Sequence, residues 1–227
     1  MTISENEIHI YRFSLESTSD QIKESETVLS PDELWKAYQY KFEKDKFHYI
    51  SGRALLRKLL AKYLDQAPGN ITFSYSEKGK PFINGNNIKF NLAHSGGKAV
   101  FAFTNNSEVG IDIEFMRELS DALQIAKRFF SDGEVKEFSE IIDCDIRTAF
   151  FNCWTRKEAF IKALGEGLSY PLNDFSVTLK PGEKPEVKWI KGKDAEVKKW
   201  SLFNIEVDEK YVSSLAVKAK EVSVIYL

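Results

Sequence analysis

Two carboxylates, Asp112 and Glu114, lie two residues apart in Val109-Gly110-Ile111-Asp112-Ile113-Glu114-Phe115, where apolar residues alternate with Gly, Asp and Glu. A period of two describes a strand with one apolar face, so both carboxylates share the other face. Their Cα atoms are then roughly 6.6 Å apart, within reach of one cation or its waters. Taken alone, the pair fits a solvated strand face better. A second group, Trp154, Glu158 and Lys162, falls at i, i+4 and i+8 of a helical pattern that stops at Gly165, and so forms one stripe. By itself this stripe reads as a surface ion pair beside a core tryptophan. A third segment, Asn91-Leu92-Ala93-His94-Ser95-Gly96-Gly97, puts a histidine, a hydroxyl and two glycines where the chain leaves a strand. Backbone N–H groups in such a turn can approach phosphate oxygens, although a capped turn with an exposed histidine is the plainer reading. Ser95 is not a hydrolase nucleophile, because no G-x-S-x-G elbow surrounds it and His94 is only its sequence neighbour.

The elements that must position these groups occur twice, in the same order. Ser30 with Glu33 is echoed by Ser131 with Glu134, each a capping box opening a helix. A longer helical pattern follows in each case, about residues 49–64 and 150–164. Phe73-Ser74-Tyr75 then matches Phe175-Ser176-Val177, and Lys80-Pro81 matches Lys184-Pro185. Phe90-Asn91-Leu92 matches Phe203-Asn204-Ile205, each followed by an apolar run, Ala99 to Phe103 or Val212 to Val217, that reads as a hairpin partner. Each echo is short, but ordered matches at an offset drifting from 101 to 113 residues indicate a duplicated unit. The expected fold is therefore α+β: two similar halves, residues 1–106 and 107–227, each an antiparallel sheet with helices packed on one face. They join near Thr104-Asn105-Asn106-Ser107, and their seam is the natural place for a ligand.

Composition removes several function classes. A net charge of −2 leaves no basic field to hold nucleic acid, so an anionic ligand must be gripped locally. No window approaches the roughly 18 apolar residues of a membrane span. The acidic start Met1-Thr2-Ile3-Ser4-Glu5-Asn6-Glu7 lacks a secretory pattern, and Cys144 and Cys153 match no disulfide framework or metal spacing. Both read as passive thiols in a reducing, cytoplasmic setting.

Together, Gly110-Ile111-Asp112-Ile113-Glu114, the run Trp154-x-x-Lys157-Glu158-Ala159-x-x-Lys162-x-x-Gly165-x-Gly167, and Phe90-Asn91-x-x-His94-Ser95 resemble the Sfp-type 4′-phosphopantetheinyl transferases. Gly79-Lys80-Pro81 and Ile125 to Ser131 extend the resemblance over nearly the whole chain. It implies a pseudo-twofold monomer with coenzyme A in the cleft between the halves, and transfer of the phosphopantetheine arm to a serine of an apo acyl or peptidyl carrier protein with release of 3′,5′-ADP. It also implies a magnesium ion on Asp112, Glu114 and Glu158, with Glu158 the candidate base and Lys162 and His94 assisting. The same resemblance places the coenzyme against Lys80, Pro81, His94, Ser95 and Lys162. One departure is His48, where the family often carries an arginine; Arg53 is the nearest arginine, and Lys36 and Lys46 are the candidates to compensate. Lys127, Arg128, Phe129 and Phe130 form a basic and aromatic run suited to an acidic carrier, although both aromatics also suit a core. The chain's length resembles the branch tied to nonribosomal peptide and polyketide synthesis. Two rivals remain: a coenzyme or carrier scaffold without activity, opposed by the retained carboxylates and Lys162, and a metal-dependent phosphohydrolase, poorly supported by three histidines.

Overall fold

The computed structural model describes residues 1–227, except the side chains of Asp143, Cys144 and Leu168, so the thiol reading of Cys144 lies outside the described residues. In chain order the first half runs β1 (Glu7–Ser14), α1 (Ser19–Glu26), α2 (Pro31–Ala37), α3 (Glu43–Leu64), β2 (Ser74–Tyr75), β3 (Pro81–Phe82), β4 (Ile88–Ser95) and β5 (Lys98–Asn105). The second runs β6 (Val109–Phe115), α4 (Ala122–Phe129), α5 (Asp132–Ser139), α6 (Asp143–Leu164), β7 (Phe175–Val177), β8 (Val187–Ile190), α7 (Asp194–Val197), β9 (Ser201–Asn204) and β10 (Tyr211–Val217), and closes with β11 (Ser223–Tyr226). The strand order β1-β5-β4 in one half is repeated as β6-β10-β9 in the other, and every pairing within these triplets is antiparallel.

The two sheets face each other across a buried apolar layer of Ile8, Ile10, Val100, Ile111, Ile113 and Leu215. The long helices cover their outer faces. Leu56, Leu59 and Leu60 of α3 pack on Tyr11, Phe101 and Phe103, while Ala159, Phe160 and Ala163 of α6 pack with Phe175, Trp200 and Ala216. The duplication is therefore a physical one: each half buries one sheet face against a helix and the other against its twin.

The structure departs from the sequence pattern in two respects. Helices α3 and α6 begin at Glu43 and Asp143, six or seven residues before their apolar periodicity becomes visible. The first turns of α3, Glu43-Lys44-Asp45-Lys46, are polar helix formers that show no stripe, so the hydrophobic pattern is silent there. Strand β11 also crosses back to pair in parallel with β1, from Glu7 with Ser223 to Ile10 with Tyr226, which adds a parallel edge to an otherwise antiparallel sheet.

Both predicted capping boxes form, and each does more than cap. Ser30 N–H donates to Glu33 Oε2 at 3.0 Å, and Ser131 N–H donates to Glu134 Oε2 at 2.8 Å. Both glutamates are buried, and each meets a buried cation from its long helix. Arg57 Nε donates to Glu33 at 2.7 Å, and Lys157 Nζ lies 2.7 Å from Glu134 Oε2. The cations also donate to loop carbonyls, Arg57 to Pro68 and Ile71, and Lys157 to Leu172 and Phe175. Each pair thus fastens a short helix, a long helix and the following loop at one point.

Candidate active site

Strand β6 carries the site because its two faces differ. Val109, Ile111 and Ile113 enter the layer between the sheets, while Gly110, Asp112 and Glu114 turn toward α6. Gly110 is where the helix crosses the strand: a Cβ there would lie 2.1 Å from the Ala159 carbonyl oxygen and 2.3 Å from the Ala163 nitrogen. Only a residue without a side chain admits so close an approach. That approach brings Lys162, on the next face of α6, within 2.6 Å of Asp112 Oδ1.

Asp112 is 5% exposed, and its Oδ2 is buried with no hydrogen-bond partner among the described residues. Burial pushes its carboxyl up to about 7, against the pull of the Lys162 ammonium and with the help of the Glu114 and Glu158 charges. Glu158, one helical turn before Lys162, is half-buried, and burial raises it above the ordinary glutamate value; Lys162 opposes the shift and Glu114 adds to it. Lys162 thus pairs with Asp112, and Glu114 and Glu158 lie near enough for their charges to act on it. Among the described residues no group of three or more His, Cys, Asp or Glu side chains is arranged so that it could hold a metal ion.

The first half reaches this cluster through the β4–β5 hairpin. His94 and Ser95 are the last residues of β4 rather than part of the loop, and the turn itself is Gly96-Gly97, both at positive φ of 53° and 84°. Ser95 Oγ donates to Glu114 Oε2 at 2.9 Å and accepts from Phe115 N–H at 3.1 Å. Tyr211 on β10 donates to the Gly96 carbonyl at 2.6 Å, tying the turn to the second half. His94 lies beside a cavity of about 280 Å³ whose lining includes His48, Tyr40, Tyr49, Lys44 and the two turn glycines. Partial burial, with His48 and the Lys162 cation, holds His94 below the usual histidine value, while Asp45 pulls the other way. His48 is buried, and its Nε2, 3.5 Å from Glu16 Oε1, makes no hydrogen bond among the described residues. Lys36 is exposed and sits over the ring of Tyr49, one of the cavity residues.

Other expected contacts fall elsewhere. Lys80 and Pro81 line a separate crevice of about 280 Å³ together with Glu108, Leu164 and Gly165. The three hydrogens of the Lys80 ammonium meet Glu108 Oε2 at 3.4 Å and the carbonyls of Val109 and Ala163 at 3.1 Å each. These contacts tie β3 to the start of β6 and the end of α6. Ser95 likewise gives its one proton to Glu114. Arg53 offers no free guanidinium in place of the missing arginine, since it is paired with Glu33 and donates to the Tyr75 hydroxyl at 2.6 Å. In α4, Lys127 and Arg128 are exposed, but Phe130 is in the core and Phe129 packs edge-on against Trp154, so only the basic pair faces outward.

Three contributors had no structural role assigned from the sequence, although Gly110 and Lys157 stand within its motifs. Gly110 gave a signal, since a glycine inside a strand pattern marks a bulge or a close backbone approach. Lys157 and Tyr211 gave none, because a buried lysine and a tyrosine hydrogen-bonded across the seam look like ordinary helix and strand residues.

Residues 108–216 match the model of the 4′-phosphopantetheinyl transferase superfamily, and residues 15–106 match that of the 4′-phosphopantetheinyl transferase N-terminal region. The 4′-phosphopantetheinyl transferase HetI of a Nostoc species is 32% identical over 221 residues, covering 96% of this chain and 90% of that protein. Sfp of Bacillus subtilis is 37% identical over 157 residues, covering 67% of each chain. Among solved structures, the holo-[acyl-carrier-protein] synthase of Thermotoga maritima is 23% identical with a TM-score of 0.39, covering 50% of this chain and 63% of that one. The chain belongs to the 4′-phosphopantetheinyl transferase superfamily, enzymes that move phosphopantetheine from coenzyme A to a serine of a carrier protein. No helix of the described residues is long and apolar enough to cross a membrane.

Proposed function

We propose that this transferase works as a cytoplasmic monomer, with reaction at the seam of halves 1–106 and 107–227 and magnesium held by Asp112, Glu114 and Glu158. The observation that carries this reading is the Asp112 carboxylate, buried beside Lys162 with one oxygen unpartnered and two further carboxylates close enough to raise it. An orphaned, desolvated carboxylate oxygen is costly unless a cation meets it. The residues fit magnesium in kind, since that ion takes a few carboxylates and completes its octahedron with water and substrate phosphate oxygens. When bound, it would neutralise charge on the coenzyme pyrophosphate.

The remaining steps fall to the chain's own side chains. The carrier serine attacks the β-phosphorus of coenzyme A, the bond to the bridging oxygen breaks, and 3′,5′-ADP leaves. Glu158 accepts the serine proton; a glutamate raised by burial is closer to the operating pH and a better base for a hydroxyl. Lys162, between Asp112 and the cleft, balances charge spreading onto the phosphate oxygens. His94, His48 and Lys44 line the adjoining cavity with Lys36 at its edge, hydrogen-bond donors for the coenzyme's anionic end.

Mass spectrometry of a panel of apo carriers, including nonribosomal peptide and polyketide carriers, with coenzyme A and Mg²⁺ tests the reading. A single phosphopantetheine addition that disappears in chelator is expected, and addition undiminished without divalent metal would overturn the metal assignment. Glu158→Gln should lower turnover about 10²- to 10⁴-fold without recovery at high Mg²⁺. Full recovery would make Glu158 a ligand and not the base.

A further inference from the structure

Strands β4 and β6 run side by side but exchange no backbone ladder, and β6 pairs instead with β10. The β6 N–H groups of Ile111 and Phe115 are nevertheless satisfied, by side chains of β4. Asn91 Oδ1 accepts from Ile111 at 2.9 Å, and Ser95 Oγ accepts from Phe115 at 3.1 Å. Asn91 and Ser95 are four apart on β4, as Ile111 and Phe115 are on β6, so one face of one strand serves one edge of the other. The two ties differ in what else they do. A serine hydroxyl has one proton, and Ser95 gives it to Glu114 Oε2 at 2.9 Å, whereas Asn91 touches none of the site carboxylates through a hydrogen bond among the described residues.

We infer that Ser95 is a positioning residue for Glu114: the first half orients a carboxylate of the second half through this hydroxyl, and the hydroxyl is not a phosphate donor. Ser95 is itself held in place. The next residue, Gly96, is fixed by the Tyr211 hydroxyl on its carbonyl, and it packs so closely on Phe115 that a Cβ would lie 3.0 Å from the Phe115 Cβ. The orientation of Glu114 therefore depends on the two halves being seated against each other, and a misaligned seam loosens the carboxylate before it unfolds anything.

The inference rests on the reading that Glu114 is a metal ligand, and the test separates the two. Mn²⁺ binding by electron paramagnetic resonance is measured on wild type, Ser95→Ala, Ser95→Thr, Asn91→Ala and Asp112→Asn. Coenzyme A binding is measured separately by calorimetry in chelator, and thermal unfolding checks each fold. Loss of a partner that orients a metal ligand typically weakens the metal about 10- to 100-fold. Ser95→Ala should weaken Mn²⁺ by that order with coenzyme affinity unchanged, Ser95→Thr should restore it, and Asn91→Ala should leave it within about twofold. Equal Mn²⁺ affinity in wild type and Ser95→Ala would overturn the inference alone. So would a loss of coenzyme affinity in Ser95→Ala without change in Mn²⁺, or equal Mn²⁺ weakening in Asn91→Ala. Wild type that binds no Mn²⁺ would overturn the metal reading and this inference with it.

Discussion

Helices α3 and α6 are the same device used twice, each of 22 residues and 100 positions apart. Position 57 or 157 of each holds a buried cation that clasps the capping-box glutamate of its own half. One residue further on, the halves diverge. Lys58 is on the surface, paired with Glu24, whereas Glu158 faces the seam; four residues later Lys62 leans over Tyr11, whereas Lys162 pairs with the buried Asp112. The cause lies between helix and sheet. In the first half Tyr11, Phe101 and Phe103 fill the space, and in the second Gly110 lets α6 touch β6 and leaves room for Asp112. The shared positions build a half; the site appears where aromatic filling is withdrawn and polar groups are brought together.

The largest expected break in this comparison is at the glycines. Gly110→Ala must push α6 off β6, so it should fail to fold or lose at least about 3 kcal/mol. Gly52 within α3 would place a Cβ 3.9 Å from Leu15 Cδ2, an ordinary contact. Gly52→Ala should therefore gain about 0.5–1 kcal/mol of helix propensity. Urea unfolding of both variants decides it, and a Gly110→Ala protein of wild-type stability would refute the close-contact account.

Next come the buried cations. Lys157→Met strands the buried Glu134 and should cost about 3–5 kcal/mol, whereas Arg57→Met leaves Glu33 paired with Arg53 and should cost less. Lys157→Met should also depress turnover more than Arg57→Met, because only α6 carries Glu158 and Lys162. Equal turnover in the two variants, measured well below their melting temperatures, would mean that α6 keeps its place without this clasp.

A smaller effect concerns Asp112, to which the first half has no counterpart at its sheet–helix contact. Its value of about 7 lies above the 3.8 of an ordinary aspartate. The folded state therefore binds the proton more tightly than the unfolded chain. That contribution is fully present below pH ~4 and is lost as pH rises through about 7. In chelator, Asp112→Asn should gain on wild type across that window and run parallel above it. Magnesium should narrow the gap by stabilising only wild type; thermal melts from pH 4 to 8 would show no gap opening with pH if Asp112 kept the ordinary aspartate value.

The smallest effect is expected at the lysines that differ between the halves. Lys58→Ala breaks a solvent-exposed pair and should change stability by under about 0.5 kcal/mol with turnover intact. Lys162→Ala should cut kcat/KM at least about tenfold, since a lysine facing phosphate inside a cleft is screened far less than one facing water. A twofold effect or less would return Lys162 to the class of Lys58.

Much of this was legible in the linear chain. The capping boxes at Ser30 and Ser131, the alternation in β6 and the stripe of Trp154, Glu158 and Lys162 are local patterns, set by periods of two and 3.6 residues that the backbone imposes wherever it runs. The duplicated order of elements was readable for the same reason. The uses of Lys80 and Ser95 were not, since a lysine beside a turn and a serine at a strand end carry no sign of which acceptor will come within 3 Å.

What the sequence determined by itself was the inventory: an α+β chain in two copies, a strand offering two carboxylates on one face, and a helix offering a glutamate and a lysine on one stripe. Only the tertiary structure decided that Gly110 puts that helix directly on that strand, that one oxygen of Asp112 is left without a partner, that Lys80 spends its charge on two carbonyls, and that Ser95 from one half holds Glu114 of the other. Periodicity fixes which way a side chain points from its own element. Hydrogen bonding and burial depend on distances between elements far apart in the chain, and those exist only once the two sheets have closed on their common apolar layer.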